Sequence, residues 1–174
     1  MFKFFKQNHK IENNLYSKIL FLSRNKIFYS DFGVLDTFQN RINLIFFHFS
    51  FLFNKGKIND TDKIHKIFDQ KMFNFIFNRI ELNMREIGYG DVTVNKNMKF
   101  LVKTFYNILL DFKTYHSKKI SDKNVLFIKY LTIEKSNKTI DNNGLTKYFN
   151  KYQSFCFDLS LDSVIKGELK FTYK

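Results

Sequence analysis

Apolar residues recur at three- and four-residue steps along most of the chain, the spacing of helices that bury one face. Leu15, Ile19 and Leu22 open a first helix after a polar stretch at 7–14. "SDFGVLDTF" interrupts it with Gly33, and Asp36 or Thr37 is placed to cap the next helix. That helix, 37–53, is apolar nearly all round, which predicts a position at the centre of a bundle. "NKGKINDTD" reads as a loop, with Asp60 or Thr61 as cap of a third helix that carries Ile64, Ile67, Phe68, Met72, Phe75, Ile76 and Ile80. It stops at "REIGYGD", where Gly88 suits the left-handed residue past a helix end. Gly88 and Gly90 together permit a sharp reversal through positive φ. Asp91 or Thr93 is the expected cap of a fourth helix with Met98, Leu101, Val102, Phe105, Leu109 and Phe112 as its inner stripe. Lys96, Lys99 and Lys103 fall on another face of it.

A shorter helix at 122–133, a polar loop "EKSNKTIDNNG" and a helix with Leu145, Tyr148, Phe149, Tyr152, Phe155, Cys156 and Leu159 follow. Residues 161–165 add a turn, and "GELKFTYK" alternates like a short extended tail. No internal repeat and no alternating βα pattern is present. The expected class is all-α: one bundle of about six helices over 14–174, led by a flexible basic and aromatic segment at 1–13.

Composition adjusts this picture only in part. A chain of 174 residues fits one domain, and 44% hydrophobic content excludes disorder as the default. Phe and Tyr supply all the aromatics; Trp, Pro and Ala are absent. A net charge of +13 points to nucleic acid or an anionic membrane surface. Phe, Lys, Asn, Ile and Tyr all have A/T-rich codons, so part of the Lys excess is mutational and the charge is discounted. Cys156 is the single cysteine, which excludes a disulfide framework and a Cys-based metal site within one chain and suits a reducing compartment. "MFKFFKQNHK" lacks the apolar core of a signal peptide. The longest apolar run, "LIFFHFSFLF", is about half of what a spanning helix needs. A soluble or peripheral protein is expected.

Candidate chemistry centres on "LNMREIGYGDVTVNKNMK" at 82–99. Arg85, Glu86 and Asp91 crowd the corner and can form local ion pairs. "GYG" lacks the third glycine of a dinucleotide fingerprint and follows a helix, so nucleotide binding is not expected. Arg41 and His48 are seven residues apart and share a helix face. They either grip a client or heme-related group, or satisfy internal polar groups with Glu86 or Asp91 as partner; the second reading is favoured. His9, His65 and His116 form no HExxH spacing. Tyr106, at the edge of the inner stripe, is either a core aromatic with its hydroxyl at the rim or part of a groove. Lys96, Lys99 and Lys103 read first as a solvated face, with ribosomal RNA or anionic lipid as the alternative. "MFKFFK" is a disordered end or an interfacial anchor. No nucleophile–base pair stands out, and Cys156 reads as a packed thiol, so no enzyme and no cofactor is expected.

"DTFQNRINLIFFHFSFLF", "FDQKMFNFIFNRIELNMREIGYGDVTVNKNMK" and "KTFYNILLDF" together resemble the ubiquinol–cytochrome c chaperone family. These proteins assist assembly of the cytochrome bc1 complex in mitochondria and occur in alphaproteobacteria. The resemblance implies an all-α fold and a chaperone rather than an enzyme. It also implies newly made cytochrome b as client, action near the ribosome exit region, and a small partner subunit. The positions that match are Asp36, Arg41, His48, Met84, Arg85, Glu86, Gly88, Asp91, Lys96, Lys99, Phe105 and Tyr106. Arg41, His48, Arg85, Glu86, Asp91, Lys96, Lys99, Lys103 and Tyr106 are the expected partner-binding set, with Gly88 and Gly90 forming the turn. A Phe- and Met-rich groove between helices is expected to shield the client. Mitochondrial relatives carry a long N-terminal import extension, whereas this chain starts shortly before the first matched motif. A bacterial protein is therefore expected, cytoplasmic and peripheral to the inner membrane, or a matrix protein if the source is eukaryotic. The alternative is a basic protein of the ribosome, RNA or anionic membrane with no hydrophobic client.

Overall fold

The structure is a computed structural model that describes residues 10–56, 63–134 and 143–173. They form α1 (Lys10–Ser23), α2 (Ile27–Ser30), α3 (Phe38–Gly56), α4 (Lys63–Ile87), α5 (Asp91–Lys113), α6 (Ile120–Tyr130), α7 (Gly144–Asp158) and α8 (Leu161–Ile165). A 3-10 turn, Tyr115–Ser117, links α5 to α6. No strand occurs among the described residues, and the class is all-α. The expected caps Asp60 and Thr61, the segment at 1–9 with His9, the side chain of His65 and most of the loop at 135–142 lie outside the described residues.

α3 is the axis. Every residue from 42 to 53 is buried, as its all-round apolar character predicts. It packs against α5, α1, α7 and α4. The Thr37 hydroxyl accepts from the Asn40 backbone N–H and caps the helix. Phe side chains fill the space around it: Phe47 stacks on Phe112 at 5.0 Å between ring centres, and Phe51 meets both Phe112 and Phe149. Burying each such ring contributes roughly 1.5–3 kcal/mol. The glycine corner joins α4 to α5, and these two helices pack together.

Three boundaries differ from the sequence expectation. α1 starts at Lys10 and so takes in residues assigned to the leading segment. The short α2 follows, begun by the Asn25 carboxamide oxygen accepting from Ile27 N–H. α6 ends at Tyr130 rather than at residue 133, because Leu131 turns extended and Ile133 forms an antiparallel bridge with Val34. Asn40 enforces that ending. Its buried carboxamide donates to the carbonyls of Leu35 and Thr132 and accepts from Thr132 N–H. Asn43 donates in the same way to the Tyr130 carbonyl at 2.7 Å.

The closing segment is neither helix nor strand. Phe171 packs on Tyr148, Tyr152 and Phe155, and Tyr173 packs on Tyr148, so the tail lies along α7. The carbonyl of Gly167 accepts from Asn14 and from Lys18, which ties the tail to α1.

Candidate functional site

The corner is built from backbone first. Gly88 has φ 100°, the left-handed conformation expected past a helix end. Tyr89 N–H donates to the Met84 carbonyl and Gly88 N–H to the Arg85 carbonyl, the paired bonds of a Schellman ending. Gly90 does not share that conformation. Its φ is −69° in extended backbone, and it is itself the N-cap of α5. Neither Asp91 nor Thr93 caps the helix; Asp91 lies in its first turn, where a carboxylate favours the positive end of the dipole.

Arg85 then locks the corner. Its guanidinium donates to Glu81 at 2.9 Å, one turn back along α4, and to Asp91 across the turn. All three side chains are well exposed, so solvent screening keeps each pair weak. The local ion pairs expected at this corner are therefore present for Arg85 and Asp91, with Glu81 as the third member. Glu86 faces elsewhere. It borders a groove of about 210 Å³ between α1, α3 and α4, with Arg24 and Arg41 on the same rim and Tyr16, Ile42 and Ile80 beneath.

Arg41 and His48 do not form a pair. Arg41 sits on the exposed first turn of α3 and makes a two-pronged contact with Asp36, at 2.5 and 2.7 Å. That contact holds the Asp36 carboxyl below the usual carboxylate range. Neither Glu86 nor Asp91 is the partner. His48 lies mid-helix, where other elements cover every side, and it is fully buried. A carbonyl only accepts, so Nδ1 carries the proton and donates to Leu44 at 2.7 Å. Nε2 accepts from the Tyr148 hydroxyl at 2.9 Å. Both ring nitrogens are therefore committed, and burial pushes the imidazole down to about 4. His48 is a neutral core residue joining α3 to α7.

The outer face of α5 is different in kind. Lys96, Lys99 and Lys103 are exposed on it. Between them stand Val92 (83% exposed), Phe100 (58%), Tyr106 (50%) and Leu110 (67%). Tyr106 rests one edge on Phe73, with ring centres 5.7 Å apart. No acidic residue occurs from 92 to 110. Sequence reasoning found the lysines but missed Val92, Phe100 and Leu110. The signal for Val92 and Leu110 was readable: 92, 96, 99, 103, 106 and 110 step by four and three, the spacing of one helix face, and Phe100 lies beside that line. Nearer the corner, Leu82, Ile87 and Tyr89 are also exposed.

Met72 and Met84 are fully buried, Met98 is half-buried, and most Phe rings are used in the core. Lys55 and Lys123 also escaped the sequence reading. The Lys55 ammonium, from the end of α3, donates to the carbonyls of Cys156, Phe157 and Leu159 that close α7. Buried Lys123 donates to Asn150 and lies 4.4 Å over the Tyr115 ring. Burial pushes the Cys156 thiol up to about 12, consistent with a packed and unreactive side chain. Among the described residues no group of His, Cys, Asp and Glu is placed to hold a metal, and no helix is long and apolar enough to cross a membrane.

The described residues form an all-α body with an aromatic core and an apolar–basic outer face on α5. The family model described as Ubiquinol-cytochrome C chaperone matches residues 30–171, and the chain belongs to that family. The family is one of chaperones rather than enzymes, and membership gives the chain a role in assembly of the ubiquinol–cytochrome c oxidoreductase (bc1) complex. The crystal structure of the Cbp3 homolog from Brucella abortus shares the fold, with a TM-score of 0.76 at 20% identity over 95% of this chain and 91% of that one. No curated protein sequence matches.

Proposed function

We propose that the chain binds newly made cytochrome b and holds it for entry into the bc1 complex, using the outer face of α5. The observation that carries this reading is the set of exposed apolar side chains on the outer side of α5, with Val92, Tyr106 and Leu110 in line and Phe100 flanking them. A folded domain gains nothing from leaving such a row open, and rows of this kind serve partner binding. An apolar client segment laid along the row covers it, at roughly 1.5–3 kcal/mol for each side chain taken fully out of water. Lys96, Lys99 and Lys103 orient the client and favour anionic surroundings, either the ribosome exit region or an anionic membrane surface. Arg85, Glu86, Asp91 and Arg41 set the corner and rim from which this face extends, and a small partner subunit fits there. His48 serves through the core. The setting is the bacterial cytoplasm next to the inner membrane. Release follows when the client gains heme or its partner subunits.

The test is crosslinking and pull-down from detergent-solubilised membranes, with wild type, Phe100→Asp/Leu110→Asp and Lys96→Glu/Lys99→Glu. Cytochrome b should be enriched, should persist at high salt, and should be lost in the apolar variant. Recovery of ribosomal RNA and proteins alone, released by salt and lost only in the lysine variant, would overturn the client reading and favour a ribosome-docking protein.

A further inference from the structure

Three helices end at one place. The last turns of α3, α5 and α7 converge on a cleft of about 530 Å³ walled by Phe51, Phe112, Cys156 and Phe157. The exposed Lys113 and His116 stand at its rim, and no carboxylate lines it. The volume lies in the range of small-molecule sites.

The lining decides what kind of ligand fits. An extended peptide would bring backbone N–H and C=O groups that need partners in an apolar place. Few partners line it: the Asn54 amide donates to the Leu109 carbonyl and Lys55 is committed to the end of α7, which leaves Gln153 as the polar side chain on its wall. An acyl chain has no polar groups along its length and needs a partner only at its head. The charge at the rim is positive or neutral.

We propose that this cleft binds a single-chain anionic amphiphile, its acyl chain against Phe51, Phe112 and Phe157 and its headgroup against Lys113 and His116. Free fatty acid and anionic lysophospholipid are two sources of this chemistry. Lys113 continues the outer face of α5 by one step, but none of these residues is among those assigned to the client, and the proposal does not depend on that reading.

The test is fluorescence titration of the purified full chain with cis-parinaric acid, followed by displacement. Saturable binding is expected, reversed by oleate or by lysophosphatidylglycerol; the one that acts at lower concentration names the source. Lys113→Gln/His116→Gln should weaken parinarate binding about tenfold or more while leaving the helical circular dichroism spectrum unchanged, since both residues are exposed. Phe157→Asp, at a half-exposed position, should weaken it as well. Absence of saturable binding would overturn the proposal. Unchanged affinity in both variants, or equal displacement by neutral lysophosphatidylcholine, would also overturn it.

Discussion

Single residues carry much of the specificity of this fold, and the most consequential are polar. His48 is neutral and buried, with a folded pKa of about 4 against an ordinary 6.5. Its contribution to stability is complete above pH 6.5, where both folded and unfolded states are neutral. As pH falls from 6.5 toward 4, the unfolded chain takes up a proton that the folded chain refuses, and stability is lost, by up to about 3 kcal/mol. Urea unfolding of wild type and His48→Gln across that interval should show a steeper loss in wild type. Parallel curves would mean that His48 does not drive the decline. Asn40 is as exacting. Asn40→Asp keeps the shape but sets an acceptor against the carbonyls of Leu35 and Thr132. A loss of roughly 2–4 kcal/mol in chemical unfolding is expected. His48 was legible as a residue that satisfies internal polar groups, but its Tyr148 partner was not, nor was the Thr132 partner of Asn40, because groups so far along the chain leave no pattern in residue type. Thr37 and Gly88 were legible, because a cap and a left-handed residue act within one turn of their own position.

At the level of elements, the corner between α4 and α5 separates two glycines that look alike in sequence. A Cβ at either position would meet nothing within 4 Å, so packing is not the issue. Gly88→Ala forces a side chain into positive φ and should cost about 1–2 kcal/mol. Gly90→Ser keeps an allowed backbone at an N-cap and should be neutral or stabilising by a few tenths of a kcal/mol. Thermal melts of the two variants check the contrast; equal losses would show that the turn tolerates no side chain at all. Helix existence was legible along the chain from apolar spacing, and the central place of α3 from its lack of a polar face. The end of α6 was not, since Asn40 rather than local sequence stops it. The open row on α5 was present in the spacing but concealed by a stronger inner stripe, whose larger residues dominate any reading of that helix.

For the whole molecule, charge is the dominant tension. The chain carries a net charge of +13, and Lys55 and Lys123 use neutral partners. Self-repulsion should destabilise the folded chain at low salt. Raising ionic strength from about 0.01 M to about 0.15 M shortens the screening length from about 30 Å to about 8 Å. The melting temperature should rise by several degrees over that range, read by circular dichroism. A fall would show that the surface ion pairs outweigh the repulsion.

The bond between His48 and Tyr148 joins residues a hundred positions apart. Around it, Phe149 covers Phe47, and Tyr152 covers Phe51. During synthesis the central helix leaves the ribosome well before this cover is made. Until Gly144–Asp158 has emerged, one side of α3 stays bare, and docking must wait for nearly the whole chain. For that interval a member of a chaperone family is itself an unshielded nascent chain.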